Sequence, residues 1–81
     1  MDNPMTVNLP TLRPGQSGTI AAIHAGEDLY HRLAALGFRV GKRLEIVRKG
    51  CCSGPLQVRI GTTDVIMRRH DALQIDVKVP G

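Results

Sequence analysis

Residues 29–41 read LYHRLAALGFRVG, and this stretch decides the fold. Leu29, Leu33 and Leu36 recur at the three-and-four spacing of a buried helical stripe, which predicts a short amphipathic helix over about 27–36. Gly37 can take the left-handed conformation that closes a helix, and Phe38 can then fold back onto Leu33. Gly41 follows and opens a basic strand, KRLEIVRK. Leu33, Leu36, Gly37, Phe38 and Gly41 therefore form one element, a helix stop that feeds directly into β-structure.

Upstream of the helix, Glu27 and Asp28 place negative charge in its first turn, where the helix dipole favours it. Glu27–His31 and Asp28–Arg32 are spaced four apart, each a surface pair of ~0.3 kcal/mol. Residues 19–25, TIAAIHA, suggest a strand through Ile20 and Ile23, with a helix as the alternative reading because of the alanines. Pro14-Gly15 suits a type II turn, and Leu9 and Leu12 are spaced to tuck under a small core. Residues 1–8 are expected to be a flexible N-terminal segment, frayed or at a sheet edge, because Pro4 and Pro10 limit regular pairing.

Downstream, three β-segments are expected at 43–49, 56–60 and 63–67, with GCCSGP as a loop and Gly61-Thr62 as a tight hairpin. Strict alternation would put Arg43, Glu45 and Val47 on one face of the first segment, and Leu44, Ile46 and Arg48 on the other. A short turn, RRHDAL, in which Asp71 is read as the cap, precedes a last strand, QIDVKV. One short helix inserted among five or six strands in 81 residues predicts a mainly β domain, a small closed or nearly closed antiparallel barrel that hides its edges. The single domain is placed at 9–79.

Composition narrows the function classes. A chain of this length buries only about 60–65% of its extended surface, which leaves little room for an enclosed cavity of ~300 Å³ beside the core. Tyr30 and Phe38 are the only aromatic residues, so the core must be built from Val, Ile, Leu and Ala. No apolar run reaches the roughly 18 residues a membrane span requires, and the N-terminus lacks the layout of a signal peptide, so a cytoplasmic protein is expected. Cys51 and Cys52 are adjacent and cannot staple distant parts of a fold. The net charge of +4 and pI of about 9.7 suit an acidic partner, and Arg39, Lys42 and Arg43, just after the helix, are the candidate contact residues.

Candidate chemistry is sparse. The metal-ligating groups are His24, His31, His70, Glu27, Asp28, Cys51 and Cys52. Glu27 and His31 could share a helix face, and the vicinal thiols could chelate a soft ion or respond to oxidation if Lys49 lowers a thiol pKa. No C-x-x-C, H-x-x-x-H or C-x-x-H spacing supports a metal site, so none is expected, and no cofactor is implied. Neither Ser17 nor Ser53 lies in a G-x-S-x-G setting, and no phosphate-cradling G-x-x-x-x-G-K-[ST] loop occurs. The chain is therefore not expected to be an enzyme. Single-strand nucleic-acid binders stack bases on aromatic platforms, and two aromatics are too few for that, so no nucleic-acid partner is expected.

The run Leu9-x-x-Leu12-x-x-Gly15-x-x-Gly18-x-Ile20-x-x-Ile23, then RLAALGFRVG, Leu44-Glu45-Ile46-Val47 and MRRHDALQIDV, resembles the FeoA family over about residues 9–77. The resemblance implies an SH3-like barrel with an inserted helix, and an accessory role in ferrous-iron uptake. It also implies a partner, the FeoB-type transporter, met through its cytoplasmic GTP-hydrolysing domain or its membrane region, with weak self-association left open. The same barrel occurs in metal-dependent repressors, so a nucleic-acid-binding or metal-sensing module is the alternative. No helix-turn-helix precedes the barrel here, which favours the accessory role. Where the family usually carries an A-P-x-G-D-P-like loop, this chain has Gly50-Cys51-Cys52-Ser53-Gly54-Pro55, without the acidic residue.

Overall fold

The computed structural model describes residues 5–80. In chain order the elements are β1 (Met5–Asn8), a 3₁₀ turn (Leu9–Thr11), β2 (Ser17–Ile23), α1 (Glu27–Ala35), β3 (Arg43–Lys49), β4 (Leu56–Ile60), β5 (Thr63–Met67), α2 (Arg69–Ala72) and β6 (Ile75–Val79). The six strands form one antiparallel sheet in the order β1-β6-β2-β3-β4-β5. The sheet wraps a single core in which Leu9, Ile20, Leu33, Phe38, Ile46 and Val77 are buried from six different segments. Among the described residues no buried polar side chain interrupts that core.

The helix stop forms as its residues predict. The Phe38 N–H donates to the Leu33 carbonyl (2.9 Å) and the Gly37 N–H to the Ala34 carbonyl (3.0 Å), the paired bonds of a Schellman closure. Gly37 supplies the left-handed residue that the closure needs, at φ +103°, and both Leu33 and Phe38 are buried. A second reversal follows at once. The Lys42 N–H donates to the Arg39 carbonyl (3.0 Å), with Gly41 at φ +92° in the third position, which is a type II turn. Gly41 also donates to the Ile20 carbonyl (2.8 Å), tying this turn to β2 before β3 begins. Leu36 departs from expectation. At the helix cap the chain is already reversing, so Phe38 fills the core where the stripe would place Leu36, and Leu36 is left 44% exposed.

Four further expectations change. Of the two forms expected for residues 1–8, frayed or at a sheet edge, Met5–Asn8 takes the second: it is an edge strand and not a flexible segment, paired with β6 from Met5 opposite Val79 to Asn8 opposite Asp76. Pro10 falls in the 3₁₀ turn, outside the ladder, and the Asn8 amide anchors the strand end to the Leu73 (2.9 Å) and Ile75 (3.2 Å) carbonyls. Residues 1–4, with Pro4, lie outside the described residues. In β3 a bulge at Val47 resets the phase: Ile46 pairs with Val58, yet Arg48 pairs with Gln57, so Arg48 is exposed and does not share the inward face of Leu44 and Ile46. The RRHDAL turn is a one-turn helix, α2, whose cap position is Arg68, with Asp71 inside its first turn. Of the two expected helix-surface pairs, Glu27–His31 forms at 3.7 Å, whereas Asp28 and Arg32, both exposed, are not within ion-pair distance. The other element bounds agree with the sequence to within two residues, and the Gln16 N–H closes the Pro14-Gly15 turn on the Arg13 carbonyl (2.9 Å).

Candidate functional site

The type II turn that follows the helix stop presents Arg39, Val40, Lys42 and Arg43 together, all exposed. Val40, which follows Arg39 and precedes Gly41-Lys42-Arg43 in this turn, is 65% exposed. Lys42 and Arg43 continue into an open cleft of about 440 Å³ with Leu44, Glu45, Arg59 and Gly61. Arg43 donates to the Ser17 Oγ (2.9 Å), which orients its guanidinium along the mouth of the sheet. Of the three residues singled out in the sequence, Lys42 and Arg43 line this cleft, and Arg39 opens the turn that leads into it.

Arg59 is a member of this surface that its position in the chain does not reveal. The β3–β4 register sets it directly opposite Glu45, and its guanidinium grips Asp64 with Nε at 2.8 Å and Nη2 at 3.1 Å. That bidentate bond, helped by the Gln57 amide, holds the Asp64 carboxyl below its ordinary range, so the nearby acid is already engaged. Lys78 approaches from the other side, since Thr19 pairs with both Arg43 and Lys78. The signal that could have found Arg59 and Lys78 is the strand register, and the Gly61-Thr62 hairpin fixes only that of Arg59 against Asp64, not against β3.

The remaining basic residues of the same stretch go elsewhere. Arg48 lines a separate cleft with Pro55 and Ile66. The Lys49 ammonium donates to the Pro10 (2.8 Å) and Leu12 (3.1 Å) carbonyls, pinning the 3₁₀ turn. It is therefore committed to the backbone rather than to the thiols of Cys51 and Cys52, which are free and exposed in the β3–β4 loop.

Glu27 and His31 meet on the exposed surface of α1 at 3.7 Å, remote in sequence from the cysteines. A second acid–imidazole pair, His24 Nε2 to Asp76 Oδ2 at 2.9 Å, joins the ends of β2 and β6. That bond, with the Asn8 amide at 3.3 Å, lowers the Asp76 pKa. Among the described residues no three His, Cys, Asp or Glu side chains converge as a metal site would require. No helix among them is long and apolar enough to cross a membrane.

The family model for the FeoA domain matches residues 7–79. A Campylobacter jejuni protein that bears the name Fe(2+) transport protein A is 31% identical over 75 residues, which is 93% of this chain and 99% of that one. The crystal structure of Stenotrophomonas maltophilia FeoA, described as complexed with zinc and as a prokaryotic SH3 domain protein, is 31% identical. It covers 90% of this chain and 88% of its own, with a TM-score of 0.74. The solution structure of Chlorobium tepidum FeoA is 26% identical, covers 90% of this chain and 70% of its own, and superposes with a TM-score of 0.84.

Proposed function

This chain belongs to the FeoA domain family, whose members are associated with ferrous-iron transport, and on that premise we propose that it is a cytoplasmic accessory protein that docks on the cytoplasmic part of an FeoB-type transporter. The observation that carries the docking surface is the exposed turn Arg39–Arg43, which holds three cations and an exposed valine within five residues. Cations beside an apolar side chain suit a protein surface with an acidic rim, where charge speeds encounter and the apolar contact supplies affinity. The chain performs no catalysis in this reading. It alters uptake or nucleotide turnover because its binding energy differs between states of the transporter.

The test is a titration of isotope-labelled protein with the transporter's purified cytoplasmic domain, with and without guanine nucleotide. Amide shifts confined to the turn and the start of β3 are expected. Arg39→Glu with Arg43→Glu should leave melting unchanged and weaken binding about tenfold or more at low salt, with the difference shrinking as salt screens it. Equal affinity of the double variant and the parent would remove the basic turn from the interface. Shifts absent in every nucleotide state would exclude the cytoplasmic domain as the partner.

A further inference from the structure

The sheet ends at β5, which pairs with β4 and with no other strand among the described residues. Val65, Ile66 and Met67 of this strand line a cleft of about 210 Å³ together with Leu29 and Leu33 of α1 and Leu36 at its cap. Successive strand residues point to opposite faces, so a cleft lined by three in a row runs along the strand's edge rather than across a face. Its apolar walls are open to solvent: Ile66 is 68% exposed and Leu36 44%. Natural sheets blunt a free edge with lysine, proline or a bulge. The β5 segment, TDVIM, has none of these, and its one charged residue, Asp64, is turned back onto Arg59 and Gln57 of β4.

The rim of the cleft is charged unevenly. Arg32 and Arg68 lie on it with Asp71, and neither arginine has an ion-pair partner among the described residues. A second copy seated edge to edge would bring as its strand acid only Asp64, already bonded to Arg59 and Gln57, and so offers these arginines no free carboxylate. We infer that the β5–α1 cleft binds an extended segment of another protein, which adds to β5 as a further strand, seats alternate apolar side chains between β5 and α1, and presents an acidic residue to Arg32 and Arg68. This surface shares no residue with the basic turn and stands independently of the docking proposed above.

Selection of random displayed peptides on the full-length protein, followed by N-methyl scanning of the best binder, tests this. The selected peptides should carry apolar residues at every second position with a flanking Asp or Glu. N-methylation should weaken binding about tenfold at alternate residues and leave the intervening ones nearly unchanged, because only one side of the added strand faces β5. Ile66→Lys and Arg68→Glu, both at exposed positions, should each weaken the peptide while Arg39→Glu with Arg43→Glu does not. The inference is overturned if no peptide is enriched, if N-methylation shows no alternation, or if the selected peptides have a helical three-to-four period. It is equally overturned if Ile66→Lys instead abolishes a concentration-dependent dimer, which would make a second copy the occupant.

Discussion

Two connections in this molecule reverse the chain with opposite uses of glycine. Between α1 and β3 the left-handed positions are occupied by Gly37 and Gly41, at φ +103° and +92°. Between β3 and β4 they are occupied by Cys52 and Ser53, at φ +57° and +65°, although Gly50 and Gly54 flank them. The glycines of the second loop meet a need for space. A Cβ on Gly50 would lie 3.0 Å from the Pro55 ring, and one on Gly54 would lie 3.0 Å from the Cys51 carbonyl oxygen. The loop closes on two backbone bonds, Gly50 N–H to the Pro55 carbonyl (2.7 Å) and Gly54 N–H to the Cys51 carbonyl (3.1 Å). A glycine in sequence thus marks either torsional freedom or close approach, and the two have different energetic consequences. The first connection is unstrained and anchored by the core, whereas the second carries its strain at the surface, about 1–2 kcal/mol per left-handed side chain.

The largest expected effect breaks the anchored side of this comparison. Leu33→Ala truncates a buried side chain while leaving the backbone carbonyl that closes the helix in place, and should cost about 2–4 kcal/mol through the cavity. In a domain of this size that is a large part of the total stability, so denaturant melts should move far to lower midpoints. A wild-type midpoint would mean that the helix is not held by the core. Gly37→Ala comes next. An added Cβ meets only Ile60 at 3.9 Å, so any loss reports backbone torsion and not a clash. It should cost about 1–2 kcal/mol, a fall of roughly 5–10 °C in Tm. No change in Tm would show that the first connection does not depend on glycine for its torsion.

The anchored connection was legible in the sequence because its determinants are local. The Leu33-to-Phe38 spacing, Gly37 and Gly41 all act within a dozen residues, β4 alternates cleanly, and the GCCSGP loop and Gly61-Thr62 hairpin bound β3, β4 and β5 where they are found. What sequence reading missed depends on distant partners. Met5–Asn8 becomes a strand because β6, some seventy residues on, offers it an edge, and MTVN alone could not choose between that and a frayed segment. The bulge at Val47 arises from fitting β3 to β4, and it moves Arg48 off the inward face. Leu36 has the right spacing for burial but lies where the chain turns away. At the candidate site, Arg39, Lys42 and Arg43 were legible as neighbours on one turn. Arg59 and Lys78 join them only through strand register, a property of the folded sheet.

The smallest expected effect sharpens the other side of the comparison. Cys52 occupies a left-handed position with its side chain exposed, so replacement there tests torsion without disturbing the core. Asparagine tolerates this region better than cysteine because its short amide can bond locally, and it does not carry the unfolded-state entropy of glycine. Cys52→Asn should therefore stabilise the protein by ~0.5 kcal/mol, and Cys52→Gly by less, because glycine's gain in torsion is partly offset by its greater entropy loss on folding. A rise of a few degrees in Tm for Asn, with Gly between Asn and the parent, would place the strain in the backbone at residue 52. Destabilisation by both would mean that the Cys52 side chain makes a contribution larger than the strain it carries. The two connections would then differ in what their side chains do, and not in where their glycines fall.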